Sequence, residues 1–114
     1  MYMLVMVLDD TAHLNDVLTA WDSAGVGGVT IIESTGLNRV LQRHSPDMAF
    51  AGFSQIFGSG RVGHNTMFTV IENLELAEAA VAATEAVLGD LTEPDKGIIF
   101  ALPVAKTWGL TLKR

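Results

Sequence analysis

The sequence predicts a single α+β domain, residues 1–114, whose elements follow the order β-α-β-β-α-β. Three observations lead to this prediction. Four short apolar runs are typical of buried strands. Two segments repeat their apolar residues at helical spacing, and each lies between two of those runs. The length of 114 residues corresponds to one domain with a core of its own.

The first half of the chain reads as strand, helix and strand. Tyr2–Leu8 is a continuous apolar run that is too short for a helix, and Asp10 can cap the helix that follows. The apolar face of this helix is formed by Leu14, Val17, Leu18 and Trp21. Gly25 stands where a helix usually ends, and the β-branched run Val29–Ser34 predicts the second strand.

The second half repeats the same order. Thr66–Glu72 predicts the third strand, and the alanine-rich segment Leu74–Leu88 predicts a helix that can approach a sheet closely. A polar turn, Asp90–Lys96, leads to the fourth predicted strand, Ile98–Val104. The tail Lys106–Arg114 has a basic end.

Between the two halves, residues 36–64 read as one long loop. Loops of more than about 15 residues in compact domains are usually functional or disordered. A short helix near Ala49–Phe57 would carry an apolar stripe. That stripe either packs on its own subunit or forms a docking surface for a partner protein.

Two β-α-β units with right-handed crossovers predict a ferredoxin-like sandwich. Two helices cover only one face of a four-stranded sheet. The first and fourth strands are nevertheless apolar on both faces. This pattern is typical of strands that are buried on both sides. We therefore expect the second face to be covered, most simply by an identical subunit.

Composition narrows the class of partner. Only 18% of the residues are charged, against about 25% in typical domains, and the net charge is −6. An acidic chain is a poor ligand for nucleic acid phosphates or an anionic membrane. No apolar run is long enough to span a membrane, and the N-terminus lacks the pattern of a signal peptide. With no cysteine, the chain fits a cytoplasmic protein.

Motifs for catalysis or metal binding are weak. Residues 58–63 match G-x-G-x-x-G, but the match precedes a predicted strand instead of following one, which favours a flexible loop end. Arg61 within it can still contact an anion. His13, His44 and His64 lack the spacing of metal ligands, and no G-x-S-x-G motif occurs. The residues therefore assign neither a catalytic group nor a metal site.

Several stretches resemble PII-like signalling proteins, the superfamily of the nitrogen regulatory protein PII. Leu14–Leu18 followed by Ala24–Thr30 resembles the first helix and the entry to the second strand. Glu33–Leu37 resembles the end of that strand, and Lys96–Val104 resembles the last core strand. The resemblance spans nearly the whole chain and keeps the order of the elements.

The resemblance implies a homotrimer whose sheets face inward, with clefts between subunits that bind an adenine nucleotide, ADP or ATP. Residues 36–64 would correspond to the family's T-loop, which docks on target proteins. The effector site implied by position, with Arg61 added as the anion contact, consists of Thr30, Gly36, Leu37, Asn38, Arg39, Arg61, Lys96 and Gly97. The sequence departs from the family at the turn Glu93–Gly97, which has acids and a proline, and its only tyrosine is Tyr2.

The expected function is therefore that of a non-enzymatic regulator. Binding of the effector would order the long loop, which would engage a transporter or an enzyme. Two alternatives stay open. One is a divalent-metal tolerance protein of the related trimeric kind, which would bind through His44 or His64. The other is a small ferredoxin-like enzyme with its active site beneath the long loop.

Overall fold

The computed structural model of the chain describes residues 1–35 and 63–110. Their order confirms the predicted succession of strands and helices. A single 3₁₀ turn, Thr11–His13, precedes the first helix, and Asp10 caps it through a bond from the Ala12 N–H. The elements are β1 (Tyr2–Leu8), α1 (Leu14–Ala24), β2 (Thr30–Ser34), β3 (His64–Ile71), α2 (Leu74–Leu88) and β4 (Gly97–Pro103).

The bounds of three strands differ from the prediction. β2 begins at Thr30, one residue later, and β4 is shifted by one residue toward the N-terminus. The larger difference is at β3, which begins at His64 because this residue pairs with Ser34. His64 therefore belongs to a strand and not to the predicted long loop. Residues 36–62, including the helix predicted near Ala49–Phe57, lie outside the described residues.

The four strands form one antiparallel sheet in the order β2-β3-β1-β4. Each strand that follows a helix lies parallel to the strand before that helix, with one other strand between them. This is the arrangement of a ferredoxin-like α+β sandwich and agrees with the predicted fold class.

One face of the sheet packs against both helices. Leu4, Met6 and Leu8 of β1 point to this face and are buried, as are Met67 and Ile71 of β3. The helices contribute Val17, Trp21, Ala77, Ala80 and Leu88 to the same cluster. Alanines on α2 leave room for that helix to lie close to the sheet, as its sequence predicted.

A buried hydrogen bond ties the two helices together. The Trp21 indole N–H donates to Thr84 Oγ1 at 2.7 Å, and that hydroxyl donates to the Ala80 carbonyl, also at 2.7 Å. Trp21 and Thr84 are both fully buried. The polar atoms of the largest core residue are thus satisfied, which removes the cost of burying an indole N–H.

The other face of the sheet, called here the open face, is apolar and partly exposed. Across its centre, Val5 lies opposite both Phe68 and Phe100, which shield it from solvent. On β4, Ile98 is 56% exposed and Leu102 is 44% exposed. β1 and β4 therefore present apolar side chains to both faces, as predicted from the sequence.

Gly97 allows β4 to begin against β1. Its φ is +130°, and a Cβ atom would lie 2.3 Å from the Val7 carbonyl oxygen, so Gly97→Ala combines strain with a backbone clash. We expect a loss of about 3 kcal/mol or more in the free energy of unfolding, measured by urea titration. Gly28→Ala is the control, because Gly28 has φ +65° but nothing within 4 Å. Equal losses in the two variants would contradict the clash.

Asn65 has a buried side-chain oxygen, Oδ1, without a hydrogen-bond partner in the described part of the chain. An unsatisfied buried polar atom costs about 1–3 kcal/mol. We expect Asn65→Leu to raise the free energy of unfolding by about 1 kcal/mol or more. The control is Thr69→Val, because Thr69 is equally buried but its hydroxyl donates to the Gly27 carbonyl at 2.9 Å. Destabilisation by Asn65→Leu would show that the amide contributes favourably.

Candidate functional site

One end of the sheet gathers most of the features that the sequence singled out. Here Ser34 ends β2 opposite His64, while Leu8 ends β1 opposite Gly97. The described part of the chain stops at residue 35 and resumes at residue 63, and both of these positions lie at this same end. The turn that carries Lys96 also ends here. We call this end of the sheet the loop end.

At the loop end, the predicted site residues Lys96 and Gly97 stand across the sheet from Ser34 and His64, which flank residues 36–62. β2 and β4 are the two edge strands, with β3 and β1 between them. Adjacent strands lie about 4.8 Å apart, so the two edges are about 14 Å apart. Lys96 and Gly97 lie at the β4 edge, and the root of residues 36–62 lies at the β2 edge.

The turn before β4 is held by side chains of its own residues. Asp90 Oδ1 accepts hydrogen bonds from the Thr92 N–H at 2.9 Å and from the Thr92 hydroxyl at 2.8 Å. The backbone bond from Thr92, assisted by its hydroxyl, lowers the pKa of Asp90. Glu85 Oε2 accepts from the Leu91 N–H at 3.0 Å. These bonds fix the path of the chain toward Lys96.

Lys96 lines a small pocket of about 130 Å³ at the β4 edge. Its other lining residues are Leu8, Asp10, His13, Leu88 and Asp95. His13 Nε2 lies 3.8 Å from Asp10 Oδ2. Pockets that hold a drug-sized ligand measure about 300–1,000 Å³, so this one is too small for a nucleotide without a second wall.

The root of residues 36–62 carries a cluster of polar side chains. Ser34 Oγ lies 2.6 Å from His64 Nδ1 and 2.8 Å from Thr66 Oγ1. All three side chains belong to the open face, because they alternate along β2 and β3 in register. The cluster pins the two strands at the point where the long segment begins. Sequence reasoning missed Ser34 and Thr66, because only the strand register brings them together.

Thr30 lies away from the loop end. It is the first residue of β2 and is four residues from Ser34, or about 13 Å along an extended strand. It therefore does not meet Lys96 or Gly97 within one chain. Gly36, Leu37, Asn38, Arg39 and Arg61, the other predicted effector-site residues, lie outside the described residues.

Thr30 instead borders a larger groove of about 520 Å³ at the opposite end of the sheet, which the sequence analysis did not anticipate. We call it the β3 groove. The connection Gly25–Gly28 after α1 forms one wall, and the first turn of α2 forms another. The end of β3 and Leu110 of the tail complete it. Three separate parts of the chain build this groove, residues 25–30, residues 68–79 and Leu110, so no local motif marks it.

Two further tests concern metals and membranes. Within residues 1–35 and 63–110, no group of three or more histidine, aspartate or glutamate side chains is placed to hold a metal ion. Neither of the helices described in those ranges has the length and hydropathy needed to cross a membrane.

Comparison with known proteins adds to this geometry. No protein-family model matches the chain, and no curated protein sequence matches it. Among solved structures, it is similar to PII of Arabidopsis thaliana, determined in a crystal bound to citrate. The TM-score is 0.60 at 18% sequence identity, over 90% of this chain and 76% of that chain. The chain thus has a fold like that of PII, as the resemblance in its sequence implied.

Proposed function

We propose that the chain is a non-enzymatic, PII-like regulatory protein that assembles as a homotrimer and binds an adenine nucleotide, ADP or ATP, between subunits. One observation supports the proposal: Lys96 and Gly97 lie at the β4 edge of the loop end, and Ser34 and His64, which flank residues 36–62, lie at the β2 side of the same end. A head-to-tail contact would place the β4 edge of one subunit beside the β2 edge of the next. Contacts of this kind close into rings.

The open face supports assembly. Ile98, Phe100 and Leu102 of β4 are between 41% and 56% exposed, and Ile32 of β2 is 49% exposed. Contiguous apolar surface of this kind marks an interaction site. Turning three such faces inward would bury these side chains and gain about 25 cal/mol for each Å² of apolar area removed from water.

The charge of Lys96 supports an anionic effector. Lys96 is the lysine of its pocket, whose lining also holds His13 and the acids Asp10 and Asp95. This pocket needs a second wall to enclose a nucleotide, and that wall would have to supply further positive charge. A neighbouring subunit would supply that wall from its β2 side, where Arg39 and Arg61 belong to the segment between β2 and β3. The citrate bound to Arabidopsis PII is likewise a compact anion with several negative charges.

Residues 36–62 would carry the signal. Because both ends of this segment meet the sheet at the loop end, a ligand bound there can favour one arrangement of the segment over another. The segment would then engage a protein target such as a transporter or an enzyme.

Phe100→Glu tests the assembly. A carboxylate in the centre of the open face would be buried in a trimer, so we expect the variant to elute as a monomer while the unchanged chain elutes as a trimer. Light scattering after size-exclusion chromatography measures the mass. Ala82→Glu, on the exposed side of α2, is the control and should stay trimeric. A monomeric unchanged chain would overturn the proposed assembly.

Lys96→Ala tests the effector site. Loss of one charge-assisted hydrogen bond should weaken ADP or ATP binding by about 1–3 kcal/mol in calorimetry. Lys106→Ala is the control, since Lys106 is exposed and stacks 5.0 Å from the centre of the Trp108 ring. Unchanged affinity in Lys96→Ala would remove this lysine from the site. Binding of citrate with no binding of nucleotide would replace the proposed effector with a carboxylate.

A further inference from the structure

We propose that the pocket lined by Lys96 binds a small zwitterion with the chemistry of a short α-amino acid such as alanine. This is the pocket of about 130 Å³ at the β4 edge, called here the Lys96 pocket. It lies within one chain, so the proposal depends neither on the trimer nor on the adenine nucleotide. Its support comes from the charges that line the pocket, the backbone that presents them and the volume of the pocket.

The Lys96 pocket presents charges of both signs that are not paired with each other. Lys96 supplies an ammonium group, and Asp10 and Asp95 supply carboxylates. Within residues 1–35 and 63–110, neither Lys96 nor Asp95 takes part in an ion pair, whereas Asp10 Oδ2 lies 3.8 Å from His13 Nε2. A ligand with one ammonium and one carboxylate group would place each of them against an opposite charge of the pocket.

The turn before β4 presents Asp95 and Lys96 to the same pocket. Consecutive side chains of an extended strand point to opposite sides. Asp95 instead has a φ of +64°, and among the described residues it is the one non-glycine residue with a positive φ. Backbone of this kind is uncommon and clusters at functional sites, although aspartate tolerates it better than most residues. The conformation of Asp95 therefore accompanies the meeting of two opposite charges in one pocket.

The end of α2 orients the Lys96 ammonium group. Lys96 Nζ lies 3.9 Å from the position that a Cβ atom would take on Gly89, the residue that caps the C-terminal end of α2. This end of a helix favours a positive charge, so the ammonium is held there before a ligand arrives. Holding a charged side chain in place in advance lowers the entropic cost of binding.

The volume and the floor of the pocket limit the size of the ligand. A cavity of about 150 Å³ holds benzene, and alanine has as many non-hydrogen atoms as benzene. The buried side chains of Leu8 and Leu88 line the pocket and would contact the methyl group of alanine. A metal ion is a poorer occupant, because the part of the chain that the structure describes has no group of three or more side chains placed to hold one.

Titration of the full chain with L-alanine, followed by amide NMR, tests the proposal. We expect the amide signals of the pocket residues to shift with a dissociation constant in about the millimolar range, since so small a ligand makes few contacts. Propionate lacks the ammonium group of alanine, and ethylamine lacks its carboxylate. Each should therefore bind about tenfold more weakly than alanine or worse.

Conservative variants identify the groups that bind. Lys96→Met and Asp95→Asn should each weaken alanine binding about tenfold, because each removes one charge and keeps the size of the side chain. Asparagine tolerates the left-handed backbone as aspartate does, so Asp95→Asn should keep the turn. Lys106→Met and Glu93→Gln are the matched controls, because both residues are exposed and neither lines the pocket.

Three outcomes would overturn the proposal. Absence of any shift at alanine concentrations far above the millimolar range would show that the pocket binds no such ligand. Equal affinity for propionate and alanine would replace the zwitterion with a simple anion. Unchanged affinity in both pocket variants would place alanine elsewhere on the protein. The amide spectrum of each variant without ligand shows that its fold is intact, and the titrations contain no ADP or ATP, so they do not test the nucleotide site.

Discussion

Both helices pack against the same face of the sheet, and within residues 1–35 and 63–110 this placement leaves the second face uncovered. The covered face holds the core, where Trp21 and Thr84 join the two helices through one hydrogen bond. The open face keeps Ile98, Phe100 and Leu102 in contact with solvent. The same topology puts β2 and β4 at the two edges, so the proposed site, which uses both edges, would be completed by a second subunit. In the proposed trimer, assembly and ligand binding would therefore be coupled through the sheet order.

Charge is distributed unevenly along the chain. The two helices carry acids and neither lysine nor arginine: Asp16, Asp22, Glu75, Glu78 and Glu85. The basic residues belong to the segment between β2 and β3 or to the C-terminal part: Arg39, Arg43, Arg61, Lys96, Lys106, Lys113 and Arg114. The lysine and arginine charge is therefore restricted to those two parts of the chain, while the charged side chains of the two helices are all acidic.

Local signals were sufficient for most of the fold. β1 and α2 have the bounds predicted from the sequence. Two aspartates follow the end of β1, and α2 is flanked by Asn73 at its start and Gly89 at its end. The start of β3 could not be predicted, since it depends on pairing with a strand far away in the sequence. The site follows the same division. The positions of Lys96 and Gly97 at the last turn and the start of β4 are readable from the sequence. The β3 groove is assembled from three separate segments and leaves no local pattern.

The two tryptophans of the chain occupy opposite environments. Trp21 is fully buried between the helices, while Trp108 on the tail is 79% exposed. An indole in the core emits at shorter wavelengths than one in water and is shielded from a dissolved quencher. The unmodified chain therefore contains two optical reporters that can be told apart, one for helix packing and one for the tail. Fluorescence can follow the two regions separately without an added label.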